Sequence, residues 1–244
     1  MVKDTRTKIL LSLTLIGDIN FYPVVFDEKI EKVFELSFNQ KTRAVINSLV
    51  KNGLVVEQDK SQSYSLTEKG FLNFCLEFPF FRFLKYPWDR RWRVISYEIP
   101  EVKREIRDRI RRQMQGWGLG PWHRSFWVTP HPVIESLRLL IGGREEEKYF
   151  QAFEADHVFG SREILVEKVW EKTRLDRDYR QLFRKWHEIL SGQDEKILKF
   201  KKIINPYVDL LKSDPGLPKE LIGESWIGFE GWGIFKEIKN ILFS

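Results

Sequence analysis

Cysteine is nearly missing from this chain of 244 residues: Cys75 is the only one. A single thiol closes no internal disulfide and supplies no multi-cysteine zinc site, so disulfide scaffolds and zinc fingers are excluded. One free thiol fits a reducing compartment, and a cytoplasmic protein is expected. Histidine is scarce too. His123, His131, His157 and His187 are the full set, and no two share a helix-face spacing for a metal, so no metal site is expected. Long apolar runs are lacking. Ile9–Ile16 is interrupted by Ser12 and Thr14 and closed by Asp18, far short of the ~20 apolar residues that span a bilayer. No A-x-A-like cleavage site accompanies it, which argues against a signal peptide. Walker, GxGxxG and GxSxG sequences do not occur, so common nucleotide and hydrolase chemistry has no foothold and no cofactor is expected.

What the chain has is apolar mass and a basic balance. Hydrophobic residues make up 42%, with 9 Trp and 19 Phe, enough to form cores. The net charge is +6, which permits nucleic-acid binding without locating it. Residues 1–86, 87–160 and 161–244 each carry two more Lys/Arg than Asp/Glu. Local pattern therefore has to carry the functional argument.

Residues 1–86 read as helix, helix, helix, hairpin, helix. Ile9, Leu10, Leu13 and Ile16 are spaced for one buried face, and Ile30, Val33 and Phe34 mark a second helix. The third runs from an N-cap at Asn39 to Asn52 and stops at Gly53, with Thr42, Ile46, Leu49 and Val50 on one stripe. Leu54–Glu57 and Ser63–Leu66 form a hairpin across the polar turn Gln58–Gln62, and Thr67 caps the next helix. This order is that of a winged helix-turn-helix DNA-binding domain. Its third helix offers Arg43, suited to a guanine edge, and Asn47, suited to an adenine edge. Gln40, Lys41 and Lys51 are placed for phosphates, and Lys60 and Gln62 at the wing tip for an adjacent groove or backbone.

Residues 87–160 alternate strand and helix and predict a ferredoxin-like βαββαβ domain. Trp92–Ile99 is its first strand, and Val102, Ile106, Ile110, Met114 and Trp117 stripe a helix. Gly116–Pro121 reads as a turn, Phe126–Val128 as a strand and Val133–Ile141 as a helix, and Phe150–Phe159 contains a last strand. Glu101, Glu105 and Asp108 interleave with the basic residues of Lys103–Arg112, which favours a salt-bridged solvated face over a second nucleic-acid surface. Arg90, Arg91 and Arg93 beside Trp88 and Trp92 offer guanidiniums to an anionic effector, against a reading as interdomain packing. Residues 161–244 are helical, with a break at Asp214–Pro218. The fold expected is α+β in three parts: winged helix, ferredoxin-like middle and helical C-terminal domain.

Five features in order, carried by short stretches along the chain, resemble the PaaX family of bacterial transcriptional repressors. Leu15–Asp18 is similar to the end of its opening helix, Arg43–Leu54 to its recognition helix and Ser63–Thr67 to its wing exit. Trp88–Arg93 with Ile99–Glu101, then Gly118–Gly120 and Trp127–Pro130, resemble its central domain. Asp214–Pro218 with Trp226–Gly228 resembles its C-terminal signature. The resemblance implies control of transcription by repression at a double-stranded operator, released by a small effector of the acyl-CoA type. A homodimer is expected because palindromic operators mirror two-fold symmetry. The central domain is similar to the ferredoxin-like fold of a CRISPR-associated endoribonuclease, and Glu98 stands where that enzyme carries a metal-binding Asp. A metal-dependent nuclease, or a non-catalytic adaptor in nucleic-acid processing, is therefore the rival reading. A lone carboxylate argues against the nuclease, and no enzyme is expected.

Overall fold

Asp4 opens the first helix by accepting a hydrogen bond from the Thr7 backbone N–H at 2.8 Å, which satisfies one of the orphan donors of a helix start. In the computed structural model, which describes residues 2–59, 62–123 and 125–243, this helix is α1 (Thr5–Gly17). The apolar spacing predicts one buried face that includes Ile16. The structure buries α1 nearly all round, Ser12 and Thr14 included, and leaves Ile16 only half-buried. The two hydroxyls allow this by bonding back into the helix, Ser12 to the Ile9 carbonyl at 2.8 Å and Thr14 to the Leu10 carbonyl at 2.9 Å.

Around α1 are arranged β1 (Val24–Val25), α2 (Glu28–Phe34), α3 (Gln40–Lys51), β2 (Val55–Asp59), β3 (Ser63–Leu66) and α4 (Glu68–Phe74), with the strands in the order β1-β3-β2. This is the expected winged helix. The extra strand β1 is two residues long, too short to show a period of two, and is held by its pairing of Val24 with Tyr64.

After α5 (Arg82–Lys85) come β4 (Trp92–Tyr97), α6 (Arg104–Gly116), β5 (Gly120–His123), β6 (Phe126–Thr129), α7 (Ile134–Ile141) and β7 (Phe150–Ala155). The sheet is antiparallel in the order β5-β6-β4-β7, the ferredoxin-like βαββαβ arrangement that the sequence predicts. One correction concerns Gly116–Pro121, expected as a turn: Gly120 and Pro121 belong to β5. β5 is an edge strand, where a residue without an N–H leaves no ladder bond unmade. Alternation along β4 gives the sheet two faces. Ile95 and Tyr97 pack with Ile110 and Met114 of α6 and Leu137 and Ile141 of α7. Trp92 and Val94 point to the other face, with Val128 and Phe153 paired opposite Val94.

The rest is helical: α8 (Arg162–Trp170), α9 (Lys172–Ser191), α10 (Lys196–Ser213), α11 (Lys219–Ile222) and α12 (Ile227–Leu242). By compactness the described chain falls into two units. One gathers the N-terminal residues through Cys75 with Asp176–Leu211 and the stretch from Ile227; the other gathers Leu76–Leu175 with Lys212–Trp226. In the first, Phe235 of α12 lies against Trp232, Tyr207 and Phe200, with ring centroids 5.0–5.9 Å apart. Lys239 donates to the Ile16 carbonyl at the end of α1, 3.1 Å away.

In the second unit the stretch Asp214–Pro218 is buried throughout. Asp214 Oδ1 accepts from the Gly216 N–H at 2.8 Å and folds the stretch into a tight turn. Gly216 adopts φ 63°, and a Cβ there would stand 2.3 Å from the Pro79 carbonyl. Gly118, at φ 81°, lies against the Pro215 carbonyl and the His131 ring in the same way. The Pro215 carbonyl is bonded by His131 Nε2 at 2.7 Å, and the imidazole stacks on Phe83 with centroids 4.7 Å apart. Since a carbonyl only accepts, Nε2 carries a proton.

Burial pushes the His131 pKa down to about 3, the Pro215 bond only partly offsetting it. The unfolded chain takes up a proton near pH 6.5 that the folded chain refuses. This contribution is therefore complete above about pH 6.5 and is lost as pH falls toward 3. At pH 5 the loss amounts to about 2 kcal/mol. In urea unfolding at pH 7.5 and 5.0, wild type should lose about that much more stability on acidification than His131→Gln. Equal losses would show that His131 titrates normally.

Candidate nucleic-acid interface

α3 has two chemically distinct sides. Asn39 caps it, its Oδ1 accepting from the Thr42 N–H at 3.0 Å. Gly53, at φ 67°, ends it with its N–H on the Val50 carbonyl at 2.9 Å, in the left-handed conformation that favours glycine. Thr42, Ile46 and Leu49 are buried, and the Thr42 hydroxyl is spent on the Ser37 carbonyl at 2.7 Å. Gln40, Lys41, Arg43, Asn47 and Lys51 are all exposed. At about 100° per residue, Gln40, Asn47 and Lys51 line up opposite the buried stripe, with Arg43 and Lys41 on the flanks. Ala44 and Ser48, which do not belong to the expected contact set, share this exposed face. Helical spacing from Gln40 would have found them, and a methyl at Ala44 suits a thymine methyl.

The hairpin β2–β3 follows directly. Tyr64 donates to Glu57 at 3.5 Å across it. Burial and the Glu57 charge push the Tyr64 phenol up, and the charge of Arg43 opposes them, so the Arg43 guanidinium lies within electrostatic reach of the wing. Gln62 is exposed at the tip with φ 58°, and its carbonyl accepts from the Phe26 N–H at 3.0 Å. Lys60 lies outside the described residues. The structure thus brings five of the expected residues together on α3 and sets Gln62 at the hairpin tip.

The Trp88–Arg93 cluster is arranged differently. Arg93 is only 4% exposed, held by Asp89 at 2.5 Å and Glu154 at 3.1 Å, with a further bond to the Pro130 carbonyl. This arginine and the neighbouring N–H hold the Asp89 carboxyl below the usual range against a partial burial that raises it. Arg91 lies 3.9 Å from both Glu154 and Asp156. Arg90 is exposed at φ 63°. Trp88 and Trp92 are buried edge to face, centroids 5.6 Å apart, and the Trp88 indole donates to the Arg91 carbonyl. Arg91 and Arg93 thus meet on Glu154 and are paired with carboxylates of the chain itself.

Glu98 is exposed just past β4 and borders a groove of about 600 Å³ with Arg107 and Arg111. Arg107 bonds Glu101 at 2.5 Å, Arg111 lies over the Trp127 ring, and Arg104 pairs with Asp108 at 3.7 Å. The interleaved acids therefore neutralise much of the basic face of α6. Among the described residues no three His, Cys, Asp or Glu side chains gather into a metal-binding group. No helix among them is long and apolar enough to cross a membrane.

Residues 85–166 match the PaaX protein central Cas2-like domain, and residues 170–244 match the PaaX-like protein C-terminal domain. No curated protein matches the chain. Among solved structures, an uncharacterized protein, Rv0674 from Mycobacterium tuberculosis, is similar in fold, with a TM-score of 0.50 and 14% identity over 97% of each chain. The two domain matches follow one another in the family's order, take in well over half of the residues and frame the sheet described above: the chain belongs to the PaaX family of transcriptional regulators.

Proposed function

We propose that this regulator is a sequence-specific DNA-binding repressor that acts in the cytoplasm as a homodimer on a double-stranded operator. The carrying observation is the face of α3, where Gln40, Lys41, Arg43, Asn47 and Lys51 stand exposed opposite a buried stripe. In this reading Arg43 and Asn47 read base edges while Gln40, Lys41 and Lys51 hold phosphates. Lys60 and Gln62 of the wing reach the adjacent groove or backbone. A small anionic effector of the acyl-CoA type releases the operator, and no catalytic step is involved. An effector acts only through a difference in affinity between the bound and released states, ordinarily about 1–3 kcal/mol of coupling. Of the cluster Trp88, Arg90, Arg91, Trp92 and Arg93, the two indoles border cavities, Trp92 one of about 460 Å³ and Trp88 one of about 380 Å³.

Selection of bound fragments from genomic DNA by the purified chain supplies the operator for two measurements. Arg43→Ala and Asn47→Ala should each lose roughly 1–3 kcal/mol of specific binding, with relaxed preference at one base position. Lys41→Ala and Lys51→Ala should weaken all sequences alike and flatten the dependence on salt. Wild-type affinity in both the Arg43 and Asn47 variants would refute α3 as the reading element. Sedimentation should give a dimer at micromolar concentration, and a monomer both free and on DNA would refute the two-fold arrangement.

A further inference from the structure

Residues 35–39 join α2 to α3, and the turn they form is fastened from two other helices. Glu35 opens it at φ 50° and ψ 51°, a left-handed conformation that residues other than glycine seldom adopt. Local bonds hold the rest of the turn. The Leu36 N–H donates to the Glu31 carbonyl at 3.1 Å, and the Phe38 N–H to the Glu31 carboxylate at 2.6 Å. Glu35 itself is gripped from outside. Lys8 of α1 donates to its carbonyl at 2.9 Å, and Lys201 of α10 lies 2.7 Å from its carboxylate. The bond from Lys201, with the charges of Lys201 and Lys8, holds the Glu35 carboxyl below its usual range. A second contact ties the same elements. Lys29 of α2 lies over the Phe243 ring, which packs on Phe200, the neighbour of Lys201 on α10, with centroids 5.1 Å apart. All of these residues belong to the first compact unit.

The pose of α3 matters more for bases than for phosphates. A side chain reads a base edge through paired, directional hydrogen bonds, which a small rotation of the helix breaks. Phosphate contacts by lysine are mainly electrostatic and tolerate the same rotation. A residue that sets the pose of α3 therefore controls discrimination between sequences without touching DNA.

We propose that the Glu35–Lys201 ion pair sets the pose of α3 on the operator, which makes Lys201 of the C-terminal third a positioning residue for sequence discrimination. The inference rests on the reading of α3 as the recognition helix.

Charge reversal tests it, with affinities measured for the selected operator and for random-sequence DNA. Glu35→Lys adds positive charge and should raise affinity for random DNA. It should nevertheless lower the ratio of operator to random affinity about fivefold, the upper value of a partly exposed ion pair. Lys201→Glu should weaken random binding and lower the ratio by a similar factor. The double variant restores the pair with its charges exchanged and should recover most of the ratio. If Lys201 merely touched phosphate, Lys201→Glu would leave the ratio unchanged. If the pair were merely structural, both reversals would lower the urea midpoint and leave the ratio alone. Either result overturns the proposal, as does a double variant whose ratio stays low. Should a reversal fail to fold by circular dichroism, Lys201→Met carries the measurement, with the ratio down about threefold. Hydrogen exchange at residues 36–42 without DNA should speed up in both reversals and recover in the double variant. Unchanged exchange refutes the brace whatever α3 reads, whereas wild-type affinity in Arg43→Ala and Asn47→Ala refutes only the reading.

Discussion

The bond from His131 to the Pro215 carbonyl is the constraint on which the central sheet domain depends. A buried carbonyl must be satisfied, and 84 residues of chain separate this donor from its acceptor. The donor has to be uncharged in that setting, because an imidazolium among Phe83, Pro215 and the nearby charges of Arg82 and Arg93 would be stranded without water. The close approach also fixes the glycines. At Gly118 and Gly216 the backbone takes a positive φ, and neighbouring backbone occupies the space where a Cβ would stand. Trp170 then bonds the Gly118 carbonyl, and a Cβ on Gly120 would collide with Val169. One hydrogen bond, two left-handed glycines and one indole thus join β5, α8 and the Asp214–Pro218 turn into a single packing problem with little freedom in its solution.

That explains why the sheet domain, read as residues 87–160, completes itself with later residues. The turn Asp214–Pro218 is apolar, buried and internally bonded by Asp214, and it substitutes for a piece of core that the βαββαβ unit does not supply. The winged helix is completed in a similar way. Lys239 of α12 bonds the last turn of α1, and Lys201 pairs with Glu35 at 2.7 Å, at the left-handed residue that ends α2 and leads into α3. Helices of the C-terminal third therefore brace both the central helix of the winged domain and the turn that sets the angle of α3. This bracing gives physical content to a chain in which the exposed polar face of α3 is a small part of the whole.

The legible parts of the sequence were those whose cause is local. The cap at Asn39, the stop at Gly53 and the stripe Thr42–Ile46–Leu49 each follow from contacts within four residues, and α3 came out as expected. The Arg104–Asp108 pair of α6, four residues apart, is anticipated from spacing in the same way. Features caused by distant residues were not legible. α1 is wrapped by its neighbours, so two hydroxyls sit in the core where an amphipathic pattern assigns them to solvent. β5 was hidden because Pro121 is a strand residue only at an edge, and an edge is a property of the sheet. Arg93 looked available, but Glu154, which helps to bury it, arrives from β7, some sixty residues on.

The two faces of the central sheet now stand in physical contrast. On the face under α6 and α7, Ile95, Tyr97 and Trp127 meet Ile110, Met114 and Leu137, and side chains, packing and pattern agree. On the other face agreement breaks down: an indole donor is buried unmade, and large apolar groups at 158 and 159 stand in water. Natural sequences are consistent across levels except where function requires otherwise. A fold that satisfies the Trp88 and Trp170 indoles on either side of Trp92 is capable of satisfying a third. Trp92 is stacked on Trp170 and lies edge to face with Trp88, so the aromatic packing that buries this indole is also what closes its N–H off from an acceptor.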